Sequence, residues 1–444
     1  MSAPGRRGRR SPAVRAVAGG ALLVLVGAEP AAAHAVDNGA MPAPPWLLAY
    51  LGAFAVLATA LTLRARYPRS RNLVPVAEAP SSDDPEPRDA APDPSPPAVG
   101  PGNVVGLVLL VLVVLAGVIG PDSGAGNIAP VAVLIVWWIG LPLLSLVVGD
   151  VMRALNPFVA VVRLLERATG DRRRPAPPPP SWVPAALLAA FAWFFVAYHR
   201  PGSPRAVAVL VVAYTLVAVA AGLRWGSRWL VTGEGFGALS AALSAVAPMR
   251  RSPAPPGTAA VVAVWLASVV FDALLGTPFF EDVVGDRLGW SRTLVLTVGY
   301  AWTLAIVAAA FLGALRLGDR TRTAVAAGFG VVLVPLAAGW FVGHDLTLLL
   351  FEGQNFIALL SDPIGRGWDL LGTISQRVDY GLARAAWVPW VQVLAVLAGH
   401  VGAVVVAHDR ALALLPRRSA AAASLALAAA AAASVAAAAM LVLG

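Results

Sequence analysis

The stretch IAPVAVLIVWWIGLPLLSLVV at residues 128–148 decides the fold class, because it carries no charged side chain over its whole length. An α-helix needs about 20 apolar residues to cross the hydrocarbon core of a bilayer. Similar stretches recur along the chain, which is 58% hydrophobic and only 13% charged over 444 residues. Soluble domains carry about 25% charged residues. The sequence therefore predicts an integral membrane protein in contact with the lipid bilayer.

The apolar runs predict an all-α fold: a polytopic transmembrane helix bundle of about ten spans with a small helical extracytoplasmic cap. The predicted spans are Trp46–Leu63, Val104–Gly120, Ile128–Val148, Trp182–Tyr198, Ala206–Leu223, Thr258–Leu275, Thr293–Leu315, Ala324–Val342, Trp387–Ala407 and Ala420–Leu443. The last run is mostly alanine and is therefore only marginally apolar.

Arginine residues predict the direction of threading, because loops rich in arginine stay in the cytoplasm. The loops on one side are all basic, namely RARYPRSR at 64–71, 153–174, 224–251, LRLGDRTR at 315–322 and 410–418. The loops on the other side, PDSGAGN, HRPGSPR, FFEDVVGDRLGWSR and 345–385, are less basic or acidic. The prediction is a multi-pass protein of the plasma (inner) membrane. These loops account for the net charge of +9, so the charge does not indicate a nucleic-acid partner.

Composition shifts along the chain predict its division into segments. Residues 67–102 are rich in proline, aspartate and serine, which predicts a disordered cytoplasmic linker. The predicted order is a signal peptide or first hydrophobic segment at 1–33, an outer tail and first span at 34–66, the linker at 67–102, a transmembrane core at 103–343, the extracytoplasmic cap at 344–385 and C-terminal spans at 386–444.

The N-terminus has the basic start, short apolar core and small residues of a secretory signal, although an uncleaved first helix is the alternative. Small residues permit a cut either before His34 or after Ala35. The first cut would expose His34, whose α-amine and imidazole could chelate one metal ion. His344 or His199 would complete a nitrogen-rich site that suits copper. The second cut would discard His34.

His344, Asp345 and Asp362 are candidate metal ligands in the predicted cap. Imidazole nitrogen and carboxylate oxygen together bind divalent and transition metals such as zinc or copper. The alternative interpretation is a solvated loop in which Asp362 caps a helix. The chain contains no cysteine, so thiolate ligands and cysteine nucleophiles are excluded.

His400 and Asp272 are candidate residues of a path through the membrane, because ionisable side chains within spans are costly and commonly functional. His400 lies between Gly399 and Gly402, which permit close helix approach, so its side chain is expected to face protein. The alternative for His400 is a structural role. The alternative for Asp272 is that it caps a helix break before residues 276–278.

Several stretches resemble one family of polytopic, actinobacterial-type membrane proteins that is often labelled fenitrothion hydrolase. They are PAPPWLLAYLG at 42–52, GDVMRALNP at 149–157, GEGFGALSAALSAVAP at 233–248, LLLFEGQNFIALLSDPIGRGWDLLGT at 348–373 and VLAGHVGAVVVAHDRA at 396–411. The resemblance spans nearly the whole chain. It implies a membrane-bound organophosphate hydrolase, which would be expected to need a metal-activated water. It brings no catalytic motif that assigns residues.

Three functions remain open from the sequence. The first is handling of a small solute or a transition-metal ion through an outer His/carboxylate site, with His400 and Asp272 along the path. The second is a membrane-embedded, metal-dependent hydrolase that uses the same outer cluster. The third is a scaffold without chemistry. Ionisable residues in separated layers would favour transport, whereas convergence of His and carboxylates at one point would favour the enzyme.

Overall fold

The computed structural model describes residues 43–74, 99–169, 176–250, 253–318, 328–382 and 385–442. The predicted signal segment, His34 and most of the predicted linker lie outside these residues. The described part is all-helical, which confirms the predicted fold class. Its helices are α1 Pro45–Arg66, α2 Pro101–Ile119, α3 Ile128–Val148, α4 Val151–Leu155, α5 Pro157–Thr169, α6 Val183–Val196, α7 Pro204–Trp225, α8 Trp229–Thr232, α9 Gly235–Ser244, α10 Thr258–Leu275, α11 Pro278–Val284, α12 Gly289–Gly318, α13 Leu333–Ser361, α14 Trp387–Leu414 and α15 Arg417–Val442.

Nine helices in the described ranges are long and apolar enough to cross a membrane, so the chain is a multi-pass membrane protein. The alanine-rich run is among them, as α15, and it packs against α1, α12 and α14. The predicted span at 182–198 forms the shorter helix α6, of 14 residues. A helix of that length rises only about 21 Å, less than the roughly 30 Å of the hydrocarbon core.

A buried helix occurs where the sequence predicts only a cytoplasmic loop. All ten residues of α9 are buried, and the helix packs against α3, α6 and α10. It begins at Glu234, whose carboxylate accepts hydrogen bonds from the backbone N–H groups of Phe236 and Gly237. Its ten residues, mostly glycine, alanine and serine, are too few to register as a span, and this is why the sequence pattern misses it.

The loops between helices gather at two ends of the bundle. The basic end carries Arg64, Arg153, Arg224 and Arg417. There the His408 side chain contacts the carbonyl oxygen of residue 67, and backbone hydrogen bonds join 147 to 249 and 176 to 224. The acidic end carries Asp122, Glu281, Asp362 and Asp379, and there residue 355 contacts 125 and residue 199 contacts 293. This grouping agrees with the alternation predicted from the arginines.

Helix α13 is the element that positions the candidate site, and it is longer than the sequence suggests. The predicted span ends at Val342, but the helix continues without a break from Leu333 to Ser361 over 29 residues. Its only proline, Pro335, lies in the first turn, where proline is tolerated. At 1.5 Å per residue the helix is about 44 Å long and exceeds the hydrocarbon core. His344 and Asp345 therefore lie within the helix and not in a separate cap.

The end of α13 and the irregular segment that follows it form a cap at the acidic end. Gly330 packs against the backbone of Ala259, so α10 and α13 start at the same level and run in parallel. Because α10 ends at Leu275, the last 14 or so residues of α13 rise beyond it. The irregular segment 362–382 folds back over them, with the backbone N–H of Asp379 donating to the Gln354 side chain.

Candidate metal site

Two parallel helices bring Asp272 and His344 together. Asp272 lies 13 residues after Ala259 on α10, and His344 lies 14 residues after Gly330 on α13, so both are about 20 Å from the contact between Gly330 and Ala259. The Nε2 atom of His344 lies 3.0 Å from Oδ2 of Asp272. The sequence predicts a membrane path for Asp272 and a metal site for His344, whereas the structure places the two side chains in contact.

Asp345 completes a three-residue cluster with Asp272 and His344, which we call the Asp–His–Asp cluster. Each residue offers one ligand atom, and these atoms lie within 4.8 Å of one another. Metal bonds to carboxylate oxygen and imidazole nitrogen are about 2.0–2.2 Å, so small side-chain rotations would bring all three atoms onto one ion. The cluster is therefore a candidate His/carboxylate metal site. Its acids are Asp272 and Asp345, whereas the sequence predicts Asp345 and Asp362.

Asp345 has the energetically least favourable environment of the three residues in the cluster. The residue is only 3% exposed, and its carboxylate accepts no hydrogen bond from any residue that the structure describes. Its ionisable neighbours are His344 and Asp272. An unpaired buried carboxylate is costly, and a second acid beside it raises that cost. A bound cation would offset both charges at once.

The other two ligand residues remain partly accessible. The side chains of His344 and Asp272 are 25% and 32% exposed, respectively. Asp272 lies three residues before the end of α10, so the cluster is close to the acidic-end surface of the membrane. Three protein ligands and an accessible side match the arrangement of metal sites that keep one coordination position open.

Asp362 does not join the cluster. It lies 17 residues after Asp345, which corresponds to about 24 Å along α13. Its carboxylate accepts hydrogen bonds from the backbone N–H groups of Arg366 and Gly367, both at 2.7 Å. Slight burial raises the pKa of Asp362, but these backbone hydrogen bonds outweigh it and hold the pKa below its ordinary value. The residue stabilises a turn, which matches the alternative interpretation of a capping role.

His400 lies in a separate layer, nearer the basic end. Gly399 packs against Gly339, five residues before His344 on α13. His400 is fully buried and contacts the carbonyl oxygen of Val396 and the hydroxyl of Ser434. It therefore lies about 10 Å from the cluster along the bundle axis.

Four further polar residues of α14 are buried, namely Gln392, His408, Asp409 and Arg410. Gln392 donates a hydrogen bond to the carbonyl oxygen of Gly343, immediately before the cluster. His408 contacts the carbonyl oxygen of Tyr67 at the basic end. Gln392, His400 and His408 are spaced at steps of eight residues, about 12 Å each. Gln392 is not among the residues predicted from the sequence, although a glutamine in an otherwise apolar span is a detectable signal.

His199 also lies at the acidic end but makes other contacts. Its Nδ1 atom lies 2.9 Å from the hydroxyl of Thr293, and its ring packs against Tyr198 and Trp290. The proposed chelate at His34 involves a residue outside the described part of the chain.

The chain matches no family model, and no curated protein or solved structure matches it. Its function is therefore argued from the site itself.

Proposed function

We propose that this membrane protein binds a divalent transition-metal ion at the Asp–His–Asp cluster and handles that ion across the membrane. The observation that carries the proposal is the convergence of three potential ligand atoms from two helices, one of them on a buried carboxylate that accepts no hydrogen bond from the described residues. Structural roles alone rarely leave such a group unpaired.

The ion would reach the cluster from outside the cell. The arginine-rich loops lie at the basic end, and such loops remain in the cytoplasm, which orients the acidic end outwards in the plasma membrane. The cluster is near the acidic-end surface, and the cap above it carries several further carboxylates. These charges would attract cations and raise their local concentration.

The buried polar residues of α14 favour transport. Gln392, His400 and His408 continue from the cluster towards the basic end in three layers. Polar side chains inside spans commonly mark ion pathways. A scaffold would not need polar groups in successive layers of one helix.

The ligand types favour zinc over copper at the cluster itself. One imidazole nitrogen and two carboxylate oxygens form a set that zinc accepts readily, whereas copper prefers more nitrogen. Copper would become the better candidate if the mature chain begins at His34 and that residue reaches the cluster.

Zinc binding by the purified full-length protein tests the proposal directly. We expect one zinc ion per chain by elemental analysis, and loss of that ion in His344→Ala and Asp345→Asn. Asp362→Asn is a matched control, because Asp362 is an aspartate at the same end that caps a turn about 24 Å away. Equal zinc content in His344→Ala and wild type would refute the metal site.

A metal-dependent phosphotriester hydrolase is the second candidate. The convergence of His344, Asp272 and Asp345 at one accessible point favours an enzyme, and so does the sequence resemblance. When bound, a metal with one open coordination position would activate a water for attack at phosphorus.

A single comparison separates the two functions. Zinc flux into proteoliposomes should require both His344 and His400 if the protein transports the ion. Phosphotriester turnover that is lost in His344→Ala and retained in His400→Ala would select the hydrolase.

A further inference from the structure

A cavity lies at the basic end, remote from the Asp–His–Asp cluster. It has a volume of about 370 Å³ and lies where α1, α14 and α15 meet. We call it the arginine cavity, because three arginines line it together with a histidine. Its lining is Arg64, Pro68, Arg69, His408, Leu412, Arg417, Ala420, Ala421 and Ser424.

The charge of this cavity is not neutralised by its own residues. Arg64, Arg69 and Arg417 form no ion pair or hydrogen bond with any described residue. Asp409, which follows His408 on α14, is already engaged by the chain segment after α1. Its carboxylate accepts hydrogen bonds from the Ser70 hydroxyl at 3.0 Å and from two backbone N–H groups at 2.6 and 2.9 Å.

The same contacts hold the cavity in shape. His408 and Asp409, neighbours on α14, both bind the segment 67–73, and this fixes Arg69 against the end of α14. His408 is 8% exposed, and its Nε2 atom lies 2.9 Å from the carbonyl oxygen of Tyr67. Three guanidinium groups are therefore brought to one space, and an anion bound there would reduce their mutual repulsion.

The chemistry of the lining favours a phosphate group. Guanidinium groups bind phosphate in a bidentate manner, and several of them can share its oxygens. Arg417 also begins α15, so the cavity lies beside the first two turns of that helix, close to the positive end of its dipole.

The apolar surface beside the cavity indicates the source of the phosphate. Leu57, Leu61 and Arg64 lie on one face of α1, four and three residues apart. Leu57 and Leu61 are 43% and 61% exposed, which places them against lipid tails in a membrane. A phospholipid could therefore place its phosphate in the cavity while one acyl chain follows this face.

We propose that the arginine cavity is a binding site for the phosphate group of an anionic phospholipid. Basic pockets between transmembrane helices at a cytoplasmic surface are suited to such headgroups. The site is independent of the proposed metal site, because it uses other residues at the opposite end of the bundle.

The test uses purified full-length protein in detergent and follows its melting temperature as ligand is added. The probes are short-chain phosphatidylglycerol, short-chain phosphatidylcholine and sodium phosphate, at matched ionic strength. The decisive pair of variants is Arg64→Gln and Arg66→Gln. Both arginines are exposed in the last turn of α1, but only Arg64 lines the cavity.

We expect phosphatidylglycerol to stabilise the protein more than phosphatidylcholine does. Arg64→Gln should weaken that binding about fivefold, and Arg66→Gln should leave it unchanged. Stabilisation by sodium phosphate with the same dependence on Arg64 would identify free phosphate as the ligand of the same site. Identical responses of the two variants to every probe would overturn the proposal.

Discussion

Replacement of Asp345 by asparagine should stabilise the metal-free protein and abolish its response to zinc. The carboxylate is 3% exposed, has Asp272 beside it and accepts no hydrogen bond from the described residues. A buried charge without full compensation costs several kcal/mol, and His344 offsets part of this cost. An amide of the same shape carries no charge, so we expect a gain of about 1–2 kcal/mol.

Asp345→Asn should also lose the stabilisation that zinc gives to the wild-type protein. A ligand that binds only the folded state stabilises it by about 2.7 kcal/mol at one hundred times its dissociation constant. Wild type should gain this amount, and Asp345→Asn should gain nothing. The variant would thus be the more stable protein in a chelator and the less stable protein in zinc.

Thermal unfolding in detergent, with a chelator and with zinc, measures both effects. Asp362→Asn is the control, and it should retain the full response to zinc. If Asp345→Asn unfolds at a lower temperature than wild type in the chelator, Asp345 serves the fold and the reasoning about its unpaired charge is wrong.

Three further predictions concern the framework around the site. Gly399→Ala should destabilise the protein by about 1–3 kcal/mol, because a Cβ there would lie 2.6 Å from a backbone oxygen of α13. A Cβ at Gly353 meets open space, so Gly353→Ala should stabilise the protein by about 0.5–1 kcal/mol. Thermal unfolding measures both effects. Glu234→Ala should cost about 2–4 kcal/mol in the same assay, since it removes a helix cap and leaves the buried Tyr214 hydroxyl without its acceptor. The turn after Asp362 should loosen below about pH 4. Because folding lowers the pKa of Asp362, the ionised carboxylate stabilises the turn fully above the ordinary pKa of an aspartate, and this stabilisation is lost as the pH falls through the pKa of the folded protein. Hydrogen exchange at residues 366 and 367, corrected for its intrinsic pH dependence, measures the last effect.

Each of these has an outcome that contradicts it. Equal melting temperatures for Gly399→Ala and Gly353→Ala would mean that α13 and α14 are not in close contact. An unchanged melting temperature in Glu234→Ala would mean that the carboxylate does not hold the start of α9. Exchange protection that follows the same pH profile in Asp362→Asn and wild type would show that another group stabilises the turn.

The fold class was predictable because membrane insertion depends on local composition. A run such as 128–148 must satisfy its backbone hydrogen bonds internally when it lies in lipid, and helix formation does so without help from distant residues. The alternation of basic and acidic loops is local in the same sense. Helix α9 was missed, and α6 is shorter than the predicted span at 182–198, because protein surrounds much of their surface and relaxes the length that lipid demands.

The site was predictable only in part. His344 and Asp345 were predicted as candidate ligands from their residue types, but Asp272 was assigned to a membrane path and Asp362 to the candidate metal site. Asp362 was misassigned because α13 is longer than the predicted span. The sequence shows polar residues after Val342 and suggests that the span ends there, yet the helix continues to Ser361 and carries Asp362 about 24 Å away from Asp345.

The sequence by itself determined the membrane class, most of the spans and the separation of basic from acidic loops, because each depends on residues close together in the chain. Only the tertiary structure decided which acid meets His344 and which arginines share a cavity. Asp272 and His344 are 72 residues apart, and the contact between Gly330 and Ala259 sets the register that joins them. Such registers arise from side-chain packing between helices, and packing of that kind leaves no periodic signal in a single sequence.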